Sequence, residues 1–186
     1  MRKQVLAISL LSASLVGGCA SYKPVAPAFH QALNEPYRLD SGDRVRITVF
    51  EQASLTNSYA VDKSGYVSIP LVGDVPARGR TTDQVGNELT ERFSDGYLRD
   101  PDITVEVEQY RPFFIMGEVE TGGQYSYVPG MTVQNAVAIS GGYTPRADQK
   151  TVDITRKVGG RILTGRVLAS DPILPGDTLY IRERLF

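Results

Sequence analysis

The chain has one cysteine, one histidine and no tryptophan in 186 residues. A single cysteine excludes an internal disulfide. One Cys and one His fall short of a thiolate or imidazole zinc site, so no metal or cofactor centre is expected. Excess charge is missing too: 20 Lys and Arg face 21 Asp and Glu, a formal charge of −1. That balance lacks the basic footprint of a nucleic-acid binder. Long apolar runs are also scarce. Beyond the N-terminal segment, a typical longest one is Phe113-Phe114-Ile115-Met116, far short of the roughly 20 residues a membrane-spanning helix needs. What is abundant is Gly (18) and Pro (11), which points to many turns and short strands. With 41% hydrophobic and 22% charged residues, the composition is that of a globular protein rather than a disordered chain.

The N-terminus reads as a targeting segment. Arg2 and Lys3 precede a mostly apolar stretch from Val5 to Val16, and Val16-Gly17-Gly18-Cys19 follows. The stretch is too short to span a bilayer and suits the h-region of a secretory signal. Small residues directly before a cysteine are the pattern of a bacterial lipoprotein signal, in which the thiol takes a diacylglyceryl group. An ordinary signal with a cysteine at its cleavage site, or a buried free thiol, is the plainer alternative. Residues 1–18 are thus expected to be removed, and Cys19 to be the lipidated N-terminus. Ala20-Ser21 lack the Asp that often retains lipoproteins at the inner membrane. The expected place is the outer membrane, lipid-anchored and facing the periplasm. Residues 19–36, with Pro24, Pro27 and Pro36 and no clear period, read as an extended tether.

From Tyr37 the pattern sharpens. Val45, Ile47 and Val49 alternate with Arg44, Arg46 and Thr48 as a half-buried strand. Tyr59–Val61 and Tyr66–Leu71, around Asp62-Lys63-Ser64-Gly65, predict a hairpin. Thr81 with Gln84 forms a capping box, and Val85, Leu89, Phe93 and Tyr97 mark one helix face. Ile103, Val105 and Val107 predict a strand. Residues 37–110 therefore read as a compact α+β unit. Residues 111–186 read as a second unit of β-grasp type: strands at 113–119 and 124–128, then a Thr132-capped helix with Val133, Ala136, Val137 and Ile139. Gly141-Gly142 stops that helix, and strands follow at 152–156, 161–167 and from Leu179. One pattern recurs. Leu39-x-x-Gly42-Asp43-x-Val45-x-Ile47 and Leu174-x-Gly176-Asp177-x-Leu179-x-Ile181 both set Gly-Asp before an alternating strand.

The ordered segments resemble the polysaccharide biosynthesis/export family, the Wza-like exporters. The first unit is similar to its export domain at Tyr37–Asp43, Asp62–Gly73, Gly79-Arg80-Thr81 and Asp100–Val105. The second is similar to an SLBB (soluble ligand-binding β-grasp) domain at Gly117-Glu118-Val119, Gly123-Gln124-Tyr125, Ser140–Tyr143 and Pro175-Gly176-Asp177. Gly122 stands where the family usually has proline. The resemblance implies a homo-oligomeric ring around exported polysaccharide, with an inner-membrane polysaccharide co-polymerase, often linked to a tyrosine kinase, as partner. Larger exporters carry further β-grasp domains and a C-terminal helix that lines the outer-membrane pore. This chain stops at Arg182–Phe186, straight after a strand, like the short subgroup with one SLBB domain. The expected conduit is therefore periplasmic, lipid-tethered beneath the outer membrane, with either a separate porin-like protein or a rearrangement completing the passage.

No catalytic constellation emerges. His30 falls in the expected tether, Asp40 and Asp43 in a turn, and Glu106 and Glu108 on one face of a strand. These read as turn-forming and solvated groups. Gly141-Gly142 and Gly159-Gly160 lack the flanks of a nucleotide loop. Flat tyrosine rings can stack on sugars, but Tyr59, Tyr66, Tyr110, Tyr125, Tyr127 and Tyr143 read first as core or subunit-interface residues. Three functions remain: a ring in an export conduit, a monomeric lipoprotein that binds glycan or peptidoglycan, and an enzyme acting on the polymer. The resemblance favours the first, without catalytic turnover.

Overall fold

In the computed structural model, which describes residues 27–184, the first element is a helix, α1 (Pro27–Asn34). The extended tether expected over residues 19–36 is thus a helix over Pro27–Asn34. Pro27 occupies the first helical position, where its missing N–H costs nothing, and Pro36 lies beyond the end. Phe29 is buried in the core of the C-terminal half, and that packing holds a helix too short to persist alone. Residues 1–18 and Cys19 lie outside the described residues.

The N-terminal half is built on β1 (Arg44–Val49), whose side chains alternate exposed and buried as the pattern predicts. β1 lies antiparallel between β2 (Asn57–Ala60) and β5 (Ile103–Gln109). The hairpin expected across Asp62–Gly65 is not formed. Tyr59 stands opposite Val45 on β1, while β3 (Tyr66–Ile69) pairs with β4 (Gly73–Pro76). Ladder hydrogen bonds can be satisfied by either neighbour, and the open edge of β1 takes β2. The Asp62–Gly65 turn survives as a tight loop, with Tyr66 N–H donating to Asp62 Oδ1 at 2.8 Å.

Helix α2 (Thr82–Ser94) starts at the expected capping box of Thr81 and Gln84. Val85, Leu89 and Phe93 are buried against the sheet. Tyr97, expected as the fourth member of this face, lies past the helix end and is half exposed. The helix stops before Gly96, which has φ +89°.

The C-terminal half contains β6 (Phe113–Gly117), β7 (Gly123–Tyr125), α3 (Val133–Ile139), β8 (Val152–Val158), β9 (Arg161–Val167) and β10 (Thr178–Ile181). Its sheet runs β7-β6-β10-β8-β9, with β10 parallel to β6 and every other pair antiparallel. A hairpin, a helix and a last strand inserted beside the first make the β-grasp. At the end of β6, Gly117 has φ +91°, and a Cβ there would collide with the backbone carbonyl of Ile181. α3 begins with a Thr132/Asn135 capping box and buries Val133, Ala136 and Val137. Ile139 is half exposed, contrary to expectation; Ser140, fully buried, continues the inward stripe instead. Gly141 and Gly142, at φ +90° and +98°, end the helix, and Gly159-Gly160 form the β8–β9 turn.

The fold is thus α+β, a small export-type unit followed by a β-grasp. Buried side chains fall into two clusters. One runs from Leu39 to Val105; the other joins Phe29 to residues between Phe113 and Ile181.

Candidate functional site

The repeated Gly-Asp turns are the same structure twice. Gly42 and Gly176 have φ +94° and +84°. Asp43 N–H donates to Asp40 O, and Asp177 N–H to Leu174 O, both at 3.1 Å. Each carboxylate also accepts the backbone N–H three residues back: Asp40 N–H at 2.8 Å and Leu174 N–H at 2.7 Å. Asp43 was expected to be solvated. Instead it is 0% exposed, and Asp177 1%. The alternation explains this: Asp43 is in phase with Val45 and Ile47, and Asp177 with Leu179 and Ile181, so each points inward.

A buried carboxylate must be paired and hydrogen-bonded. Both turns recruit an arginine. Asp43 Oδ2 accepts from Arg111 Nη1 at 3.0 Å, and Oδ1 accepts from the Arg111 backbone N–H at 2.7 Å. The Tyr37 hydroxyl lies 2.8 and 2.7 Å from the two oxygens and itself accepts from Arg111 Nη1 at 2.6 Å. Burial pushes the Tyr37 phenol far above its ordinary pKa; Arg111 opposes this and the Asp43 carboxylate adds to it. Tyr37 therefore stays a protonated donor. Asp177 is gripped by a guanidinium fork, with Arg156 Nε on Oδ1 at 2.9 Å and Nη2 on Oδ2 at 2.6 Å. Burial raises the Asp177 pKa against the opposing pull of Arg156. Arg156 also donates to Phe29 O at 3.1 Å and lies 3.9 Å from the Phe29 ring centroid. It thereby seats α1 on the β-grasp.

The two turns meet across Arg111, between β5 and β6. A Cβ on Gly42 would lie 3.4 Å from Arg111 Cβ, and one on Gly176 would lie 2.9 Å from Arg111 Nε. Glycine is needed at 176 both for its φ and for this approach. A second bridge joins the halves: Lys157 of β8 donates to Asp40 Oδ2 at 3.1 Å, and Arg78 to Oδ1 at 2.8 Å. Burial alone would raise the Asp40 pKa, but the Ser41 N–H, Lys157 and Arg78 outweigh it, and the carboxyl sits below its usual range.

Beside this junction lies a cleft of about 280 Å³. One wall is a ladder of three tyrosines. The Tyr37 and Tyr110 ring centroids are 4.9 Å apart, and those of Tyr110 and Tyr127 are 5.5 Å apart, both edge to face. Tyr59, Tyr125 and Tyr143 are partly buried and pack against the two cores, whereas Tyr66 is exposed. The remaining sequence candidates do not converge. His30 lies on α1, and Glu106 and Glu108 are exposed on β5. Among the described residues, no group of three or more His, Cys, Asp or Glu side chains could hold a metal ion. Tyr37, Arg111, Arg156 and Phe29 were not singled out from the sequence. The signal for them was the phase of Asp43 and Asp177, which demands buried cations.

Comparison with known proteins agrees with this architecture. The model of the family "Polysaccharide biosynthesis/export protein" matches residues 31–108, and that of the SLBB domain matches residues 112–166. The exopolysaccharide production protein ExoF of Rhizobium meliloti is 40% identical over 126 residues, covering 61% of this chain and 30% of its own. The EPS I polysaccharide export outer membrane protein EpsA of Ralstonia solanacearum is 29% identical over 174 residues, covering 77% and 45%. The polysialic acid transport protein KpsD of Escherichia coli is 24% identical over 163 residues, covering 81% and 29%. The chain thus spans less than half the length of these relatives. With the two domains in tandem and in the family's order, this chain belongs to the polysaccharide biosynthesis/export family and carries one SLBB domain.

Proposed function

We propose that this protein is a component of a periplasmic and outer-membrane conduit that exports capsular or extracellular polysaccharide. The observation that carries the reading is the tandem match at 31–108 and 112–166, together with relatives named for exopolysaccharide and polysialic acid export. In this reading residues 37–110 are the export domain and 111–186 the SLBB domain. Residues 1–18 are a signal peptide, and Cys19 carries the lipid that holds the protein to the outer membrane, facing the periplasm. Identical subunits form a ring, for which two small units with open sheet edges at β2, β7 and β9 are suited. An inner-membrane polysaccharide co-polymerase with its tyrosine kinase feeds the ring. The protein acts without catalytic turnover.

Deletion of the gene tests this, with polymer measured at the cell surface and in the periplasm. Surface polymer is expected to fall and periplasmic polymer to rise. Unchanged surface polymer overturns the export reading, and a change of polymer length without retention replaces it with an enzyme. Cys19→Ser is expected to block processing and release the protein from membranes. Sedimentation in mild detergent is expected to give a ring, and a strict monomer favours a glycan- or peptidoglycan-binding lipoprotein.

A further inference from the structure

We infer that the cleft between the two units is a binding site for an uncharged sugar ring, packed against the Tyr110–Tyr127 wall. The inference rests on the export reading and adds to it a defined contact point for the polymer.

Several observations converge. The cleft is built from segments far apart in the chain: the end of α1 with the residues to Arg38, Tyr110-Arg111, the loop at Tyr127, the end of β8, and Leu174-Pro175. At about 280 Å³ it lies at the small end of ligand clefts, a size for one or two sugar rings rather than a dinucleotide. Its aromatic wall is held in place. Tyr37 is locked to Asp43 and Arg111, and Tyr110 stands at 78° to Tyr37 and 73° to Tyr127. Hexoses carry apolar C–H faces ringed by hydroxyls, and rigid aromatic surface matches such a face at little entropic cost. Among the described residues, the Tyr110 hydroxyl has no hydrogen-bond partner.

The charge pattern selects the class of ligand. The cleft holds four cations, and three have a carboxylate partner: Arg111 has Asp43, Arg156 has Asp177, and Lys157 shares Asp40 with Arg78. Arg38 donates to Gly79 O, and Glu35 lines the same cleft. A phosphate or a strongly anionic ligand finds no uncompensated cluster of charge here. Hydroxyls do find donors and acceptors: the rims of Arg38 and Lys157, Glu35, and the Tyr110 hydroxyl. A shallow stacking site of this kind binds weakly, with a dissociation constant on the order of millimolar. Weak binding suits a polymer that must also leave.

The test is saturation-transfer NMR on the full-length lipidated protein in detergent. The probes are glucose, galactose, mannose, N-acetylglucosamine, glucuronate and inorganic phosphate. We expect saturation of ring C–H protons for at least one neutral sugar, with little dependence on salt. Tyr127→Ala and Tyr110→Ala are each expected to weaken it about 5- to 10-fold. Tyr110→Phe should retain most of it, and Tyr66→Ala, on an exposed strand away from the cleft, should leave it unchanged. Thermal unfolding of each variant shows whether the fold is kept. If Tyr110→Ala unfolds, Tyr127→Ala and Tyr110→Phe decide. Absence of transfer from every neutral sugar, transfer indifferent to both alanine variants, or binding of glucuronate or phosphate alone overturns the inference. Polymer retention on gene deletion combined with no sugar binding sinks this site and leaves the export reading standing. Sugar binding with normal surface polymer does the reverse.

Discussion

The turns at Gly42-Asp43 and Gly176-Asp177 share a backbone and differ in who answers the carboxylate. Asp177 is paired inside its own domain by Arg156, whose side chain is only 2% exposed. Asp43 is paired by Arg111, 68 residues away in the connection between the halves and 22% exposed. The first turn also spreads its charge over more partners, with the Tyr37 hydroxyl and the Arg111 backbone N–H joining its own loop N–H. One local sequence has therefore been put to two uses. In the β-grasp it anchors α1 and the core. In the export domain it ties that domain to its neighbour. The turn is set locally, while its job is set by which cation the topology delivers.

If the two turns differ in this way, removing their arginines should affect the two halves unequally. Arg156→Ala should have the largest effect. It leaves Asp177 buried without a cation and unseats Phe29, so stability to denaturant is expected to fall by about 3–5 kcal/mol. Hydrogen exchange over Pro27–Asn34 should rise along with it. Arg111→Ala should cost less, about 1–3 kcal/mol, because Asp43 keeps the Tyr37 hydroxyl and two backbone N–H donors. Its signature is a separation of one unfolding transition into two as the halves uncouple. A loss equal to that of Arg156→Ala, with a single transition, would show that the two turns do the same work.

Removing the capping threonines is a smaller perturbation that should not distinguish the halves. Thr81→Ala and Thr132→Ala each delete a side-chain acceptor for an N3 backbone N–H. Each should lower the midpoint of thermal unfolding in line with about 1 kcal/mol. A several-fold difference between the two would show that one helix depends on its cap far more than on its packing.

Acid should separate the halves again, weakly. In the export domain, hydrogen bonds from Arg80 and Arg92 hold Glu88 below its usual range, and the Tyr66 N–H does so for Asp62. Asp40 is lowered as well. Lowered carboxylates contribute stability above their unfolded pKa values, roughly 4, and that contribution is lost as pH falls through the folded values. Asp177 has a raised pKa. What it contributes is present at low pH and is lost as pH rises through its folded value. Amide protection between about pH 5 and about pH 3 should therefore fall first around Leu39–Val105. The effect is small because Asp62 is exposed, Glu88 is only half-buried, and solvent screens both. Earlier loss around Phe113–Ile181 would contradict the assignment.

Much of the fold is legible in the sequence. Local chemistry placed both capped helices, because an N-cap hydroxyl and its N3 partner lie three residues apart. Alternation placed β1 and β5, and the Gly159-Gly160 turn placed β8 and β9 on either side of it. The errors have a common character. Tyr97 and Ile139 continue a helical period past the point where the helix face stays buried. The missed α1 is a short segment whose order comes from one buried phenylalanine and a distant arginine. The misplaced hairpin reflects a choice between two possible partners, which a strand's own residues do not reveal.

Side-chain spacing along the chain sets the α+β class, the two capped helices and the Gly-Asp turns, and it carries the phase that turns Asp43 and Asp177 inward, although Asp43 reads as solvated until the packing is seen. These follow from interactions within a few residues, which the spacing of side chains records directly. Only the tertiary structure decided that Arg111 serves one turn and Arg156 the other, that β2 joins β1, and that α1 docks on the second core. It alone brought Tyr37, Tyr110 and Tyr127 to one wall. Those contacts join residues up to 127 positions apart. Their selection comes from desolvation: a buried charge takes whichever opposite charge the packed chain brings within reach, and no local pattern names it.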